Sequence, residues 1–307
     1  MTSPAPQSER RVRQAALDRG RHQGGEANDN FGRGFSALAD LAVNGVQLTA
    51  RASDLATGRV LFSVDDHVSV PTAGIGKVLL LIEVAAQMSD PDFEPAMAGG
   101  LAILDRAAGD AVGAEGLWQH LQAPSLPVAD LAALVGASGD NLASNVLLRV
   151  VGLDAVRTRA ESLGLSRTAL LDIVRDRRGP DDAPQLSVGS AGELAALFTA
   201  LARGEVVSPE VSQRVVGWLS LHSDLSMVAS AFGLVPLAHR ASDHGLLLVN
   251  MTGTAAGIRS EVGVLRGPRA GVSYMVSMQF ADTTLAARLE VLDGMRQVGL
   301  DLLEYVH

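Results

Sequence analysis

Lys77 is the only lysine among the 25 Lys and Arg residues of this 307-residue chain. Arg stays charged at any accessible pH, whereas a buried Lys can lose its proton and act as a base or an amine nucleophile. Lys77 closes the segment Pro71-Thr72-Ala73-Gly74-Ile75-Gly76-Lys77, just ahead of an apolar helical stretch. Two further groupings carry polar chemistry at short spacing. One is Gly139-Asp140-Asn141, and the other is Met251-Thr252-Gly253-Thr254 followed by Arg259. Each also has a structural reading. Asp140 suits a helix N-cap, Asn141 a tie between helices, and Gly253 a close approach of another backbone. Arg259 is either an exposed strand charge or a contact for an anionic ligand. Lys77 is either a neutral amine in an apolar site or a cation held by Asp140 or Asn141.

Composition narrows the function classes. Hydrophobic residues make up 47% and charged residues 19%, which suits a well-packed globular protein. The net charge of −9 argues against nucleic acid as a main partner and leaves a small-molecule ligand as the expectation. There is no cysteine, so disulfides and thiolate metal sites are excluded, and the seven His residues show no metal-ligand spacing. No cofactor or metal is expected. No apolar run reaches the roughly 18 residues that span a bilayer, and the polar, Arg-rich first 35 residues lack the apolar core of a secretory signal. A cytoplasmic protein with no membrane association is expected, a removed export signal being the alternative.

These residues need elements to position them. Residues 1–34 read as a flexible tail, with a short amphipathic helix over Phe35 to Val43. A hairpin follows, Val46 to Ser53 and Arg59 to Val64. Helical patterns run over Gly76–Met88, Val128–Val135, Asn141–Val151, Asp154–Leu163, Ser190–Ala202 and Pro209–Trp218. Arg175 to Ser190 reads as a loop. Strand patterns return at His244–Met251, Arg259–Leu265 and Val272–Phe280, and an amphipathic helix from Leu285 to about Tyr305 ends the chain. Two early strands and three late ones predict one sheet assembled from both ends of the chain. The expected fold is α/β (α+β), with a five-stranded antiparallel sheet lobe (35–70 and 205–307) and a helical lobe (71–204).

The order of elements and the three motifs resemble the penicillin-recognising serine hydrolases, above all the class A β-lactamases. The family's S-x-x-K motif corresponds to Gly74-Ile75-Gly76-Lys77, its S-D-N to Gly139-Asp140-Asn141, and its K-T-G to Met251-Thr252-Gly253. The resemblance covers roughly residues 35–307. It implies that Arg259 stands where the family places an Arg for a substrate carboxylate. It also implies that each motif has lost its most reactive residue. Gly74 stands at the nucleophile's position, Gly139 at the proton-relay serine's, and Met251 at that of a lysine. The deacylating Glu has no counterpart between about residues 165 and 190, where the acids are Asp172, Asp176, Asp181 and Asp182. Asp176 is the best match. Ser138, one residue from the relay position, is a weaker candidate for its role, and His244 reads as a loop histidine.

Three functions fit. The first is a β-lactamase-like scaffold that binds or acts on β-lactams and related cyclic amides or esters, its acyl-enzyme nucleophile absent by drift or by design. The second is a lysine-centred enzyme using Lys77 as a general base or Schiff-base amine on a small carbonyl compound. The third is a non-catalytic protein that uses the cleft to bind a ligand.

Overall fold

The structure is a computed structural model in which residues 31–90, 98–240 and 245–307 are described. Residues 1–30 of the tail expected over 1–34, and His244, lie outside the described residues, whereas 32–34 are not tail but the first residues of a helix, because Gly34 packs on Val298 and its N–H is held by Asp301. The chain opens with α1 (Gly32–Val43) and the hairpin β1 (Gln47–Asp54) and β2 (Val60–Val64). A short strand β3 (Ser69–Pro71) and a 3-10 turn (Ala73–Gly76) lead into α2 (Lys77–Ser89). Strands β4 (Ile103–Asp105) and β5 (Ser125–Pro127) pair ahead of α3 (Val128–Ser138), α4 (Asn141–Val151) and α5 (Leu153–Ser162). Strands β6 (Ala169–Leu170) and β7 (Ser187–Ser190) precede α6 (Ala191–Arg203) and α7 (Pro209–Leu219). The chain ends with β8 (Leu247–Ala255), β9 (Ile258–Arg266), β10 (Gly271–Gln279) and α8 (Leu285–Val306).

The five long strands form one antiparallel sheet in the order β2-β1-β10-β9-β8, so both ends of the chain build it. Strands β9 and β10 are buried on both faces. One face packs on α1 and α8, whose backbones come close where Gly34 faces Val298. There the buried Asp301 carboxylate accepts from Gly34 N–H at 2.7 Å and pairs with Arg33 at 2.9 Å. The other face meets the helical lobe through Met251, Val262, Val264 and Met275. Helix α6 lies on this face, its Thr199 hydroxyl bonded to Ser273 Oγ at 2.8 Å, while α7 packs against α2 and α3.

Helix α2 is the axis of the helical lobe. Its apolar residues run all round it, and residues 77–88 are all buried. Its buried Glu83 is matched by Arg159 at 2.7 Å and by Gln87 at 2.9 Å. Between Arg175 and Ser190, where the sequence reads as loop throughout, the last four residues form β7. That strand pairs with both β3 and β6. The pairing is long-range and the strands are short, so the local Pro- and Gly-rich composition masks it.

Behind β8 and β9, on the face covered by α8, Glu261 is wholly buried. Its carboxylate accepts from Tyr274 Oη at 2.7 Å, Asn250 Nδ2 at 3.1 Å and Ala229 N–H at 3.2 Å. Burial still dominates these bonds and pushes its pKa up to about 7. Between the usual carboxylate range and about 7, the folded state therefore holds a proton that the unfolded state has released. Stability contributed by this group falls as pH rises through that window. We expect wild type to lose about 2–3 kcal/mol between about pH 5 and about pH 8 from Glu261 alone. Urea denaturation at the two pH values should show Glu261→Gln without that loss. An unchanged pH slope in the variant would refute the assignment.

Candidate active site

The approach of the 3-10 turn to strand β8 sets the geometry. A side chain on Gly253 would place its Cβ 2.1 Å from the Thr72 carbonyl oxygen and 3.0 Å from Gly74 N, so only glycine lets the two backbones meet. The turn is held from the other side by β7. Thr72 N–H donates to Ser187 O at 3.1 Å, and the Ser187 hydroxyl donates to Ala73 O at 2.8 Å. Ala73 has φ 49°, a left-handed conformation that costs a non-glycine residue about 1–2 kcal/mol. Strain thus sits next to Gly74, whose missing Cβ would lie 3.2 Å from Thr252 O.

Lys77 begins α2, and its side chain is buried. Its Nζ donates to Gly139 O at 2.5 Å and to Asn141 Oδ1 at 2.7 Å. Burial lowers its pKa to about 8, against the opposing pull of Glu115 and then Asp140. Gly139 is the C-cap of α3, with φ 62°. A Cβ on Gly139 would lie 3.9 Å from both Lys77 Nζ and Met251 Cε, so the three segments converge there. Asp140 is the N-cap of α4, accepting from Ala143 N at 2.9 Å. Its second oxygen accepts from Leu117 N at 2.6 Å and Trp118 N at 2.8 Å, which pins the preceding loop. Asn141 Nδ2 donates to Val112 O at 3.2 Å and anchors the same loop.

Strand β8 is the sheet edge and forms the facing wall. Met251 is fully buried, while Thr252 has both an outward N–H and a hydroxyl. His222, in the segment after α7, takes both. Its Nε2 lies 2.9 Å from Thr252 Oγ1 and 3.2 Å from Thr252 N, and its Nδ1 lies 2.8 Å from Gly136 O. Burial lowers the His222 pKa below its usual value, with His239 and Lys77 acting in the same sense and Gly136 and Asp224 against it. Further along the edge, Thr254 and Arg259 line an open cavity of about 360 Å³ with Glu115 and Arg288. The Arg259 guanidinium donates to Ala255 O at 2.9 Å and Ile258 O at 2.7 Å. Its pKa is lowered by burial and by Arg288.

Other candidates lie elsewhere. The Ser138 hydroxyl is turned back onto Leu134 O of its own helix at 3.0 Å. Asp172 clamps Arg175 at 2.9 Å and Arg178 at 2.5 Å. Asp182 bonds Gly179 N and Arg175, and Asp181 is exposed. Asp176 is exposed and accepts from Gly113 N at 2.6 Å. Asn145 ties α4 to the loop at Val174 through bonds of 2.9 and 3.1 Å. Sequence reasoning missed His222, Glu115 and Arg288. Their approach to the cleft is made by distant segments, and no local pattern announces it. Among the described residues, no group of His, Cys, Asp and Glu is placed to hold a metal, and no helix is long and apolar enough to cross a membrane.

No curated protein matches the chain significantly in sequence. Solved structures do match in fold. A β-lactamase from Sphaerobacter thermophilus superposes with a TM-score of 0.73 at 21% identity, over 88% of this chain and 96% of that one. A β-lactamase from Xanthomonas campestris gives 0.73 at 17% identity, over 89% and 98%. A class A β-lactamase from Mycobacterium abscessus gives 0.71 at 16%, over 90% and 98%. The family profile described as "Beta-lactamase enzyme family" matches residues 35–306. With a sheet built from both chain ends and three motif segments meeting beside Lys77, the chain belongs to the beta-lactamase enzyme family.

Proposed function

We propose that the cleft binds β-lactams or related cyclic amides and esters without forming an acyl-enzyme. One observation carries this reading: the buried Lys77 amine donates to a backbone carbonyl and to a side-chain amide oxygen, and the hydrogen bonds it makes among the described residues do not include one to a hydroxyl. In this reading Gly74 occupies the nucleophile's position and Gly139 the relay's. Removing the nucleophile of a serine hydrolase costs on the order of 10⁶ in rate, leaving roughly 10³–10⁴ over water from binding and oxyanion contacts. Thr254 and Arg259 serve as ligand contacts in the open cavity, and Met251 makes the floor less polar than a lysine would.

The backbone supports a site settled around its glycines. Gly139 adopts a conformation that L-residues disfavour, so Gly139→Ser is strained by about 1–2 kcal/mol. At position 74 a Cβ is tight against Thr252 O at 3.2 Å. Met251→Lys would bury a second cation near Lys77.

A second reading is favoured by the lowered Lys77 pKa of about 8. About one molecule in ten then carries a neutral amine at pH 7. That amine could serve as a general base or attack a small aldehyde or ketone, losing water to give an imine.

Two experiments test these readings. Benzylpenicillin at about 100 times its dissociation constant should stabilise the fold by roughly 2.7 kcal/mol, while the intact mass stays unmodified and a chromogenic cephalosporin is not turned over. A stoichiometric covalent adduct would refute the nucleophile-free reading, and no stabilisation by any β-lactam would refute the binding reading. For the second, borohydride reduction with a small aldehyde should leave an adduct at Lys77 that is absent in Lys77→Met. No adduct at Lys77 excludes the Schiff-base form.

A further inference from the structure

The hydrogen bonds around His222 fix the position of its proton. The Gly136 carbonyl can only accept, so Nδ1, 2.8 Å away, carries a hydrogen. The Thr252 backbone N–H can only donate, so Nε2, 3.2 Å away, presents a lone pair. These two contacts come from different elements and require the same neutral tautomer. The ring is buried, which disfavours the doubly protonated form. With no hydrogen on Nε2, the contact of 2.9 Å to Thr252 Oγ1 has only one sense: the hydroxyl donates. A threonine hydroxyl has one hydrogen and two lone pairs. The one lone pair of Nε2 is shared by this hydroxyl and the Thr252 N–H, so the hydroxyl's hydrogen is directed at the ring and its lone pairs are what this half-buried residue offers to any other partner.

We propose that His222 is a positioning residue that sets the hydrogen-bond polarity of Thr252, making this point of the cleft an acceptor. A ligand group that donates there, such as a primary amide or a hydroxyl, is received without rearrangement. A carboxylate has no hydrogen to offer, so it gains a bond only if the Thr252 hydroxyl turns away from His222. The ligand class at this position is therefore a neutral donor. Met251 points the same way, since it brings no cation to the same strand. An anionic group elsewhere on the ligand is left to Arg259 and Arg288 in the adjoining cavity. This inference rests on the cleft being the ligand site and concerns which groups it prefers.

The test compares benzylpenicillin with its primary carboxamide, which differs only in replacing the carboxylate by a donor. Dissociation constants are measured by calorimetry in wild type, His222→Phe, Thr252→Val and the double variant. His222→Phe frees the hydroxyl, so the ratio of affinities should move about fivefold to tenfold toward the carboxylate. In the Thr252→Val background the same substitution should leave the ratio unmoved, which a general loosening of the fold would not reproduce. A ratio indifferent to His222, or shifted equally in both backgrounds, overturns the proposal while leaving the cleft reading intact. Binding of neither probe to wild type overturns both. Should His222→Phe fail to fold, long-range ¹⁵N–¹H spectra of the unmodified protein decide the matter. They should show the His222 proton on Nδ1, and a proton on Nε2 would overturn the proposal.

Discussion

The ammonium of Lys77 is the point on which the helical side of the cleft is hung. It leaves the first turn of α2 and bonds Gly139 O and Asn141 Oδ1, the residues on either side of Asp140. Asp140 in turn holds the loop at Leu117 and Trp118, and Asn141 holds it at Val112. One buried amine therefore fixes the α3–α4 junction against α2 and, through that junction, the loop that carries Glu115. The lowering of its pKa to about 8 amounts to about 3 kcal/mol of stability lost to keeping this charge out of water at neutral pH. The two hydrogen bonds to Gly139 O and Asn141 Oδ1 offset part of that cost, and on the proposed reading the rest is retained for the cleft.

The opposite wall is built on a different principle, the absence of a side chain. Gly253 lets the turn at 72–74 lie directly on β8, and β7 backs the turn through Ser187. Strand β8 is a sheet edge, whose outward N–H groups need partners. At Thr252 that partner is His222 Nε2, so the imidazole serves the backbone as well as the hydroxyl. The two walls are thus coupled through His222, because its other nitrogen reaches Gly136 on α3, three residues before Gly139.

Much of this could be read from the sequence, and the parts that could not share a cause. Helix α4 begins and ends where its pattern predicts, because Asp140 supplies a local cap and Gly152 a local stop. The five-stranded sheet followed from counting strand patterns at the two ends of the chain. The convergence of Gly74–Lys77, Gly139–Asn141 and Met251–Thr254 was legible only through the family's motif order, since no periodicity links residues so far apart. Strands β6 and β7 escaped detection because they are short and stabilised by pairing across sequence distance. His222 escaped for a related reason. A lone histidine after a helix has many ordinary explanations, and its meaning depends on two carbonyl and amide groups contributed by α3 and β8.

On the proposed reading, the conformation of Gly139 bears on whether a serine could stand in this cleft. A serine would sit without strain only if the backbone here lay outside the left-handed region. Instead Gly139 ends α3 with φ 62°, in the left-handed region where glycine is at home and other residues are strained. Its carbonyl is turned onto Lys77 from that conformation. Rotating the backbone toward a conformation that favours serine would move the carbonyl and loosen the hold on the amine. The Lys77 contact and the glycine conformation therefore support each other. On the proposed reading, loss of the reactive side chains is part of how the present cleft is held together, so its chemistry has to be sought in the groups that remain: the amine of Lys77, the Thr252–His222 pair, and the cations beyond them.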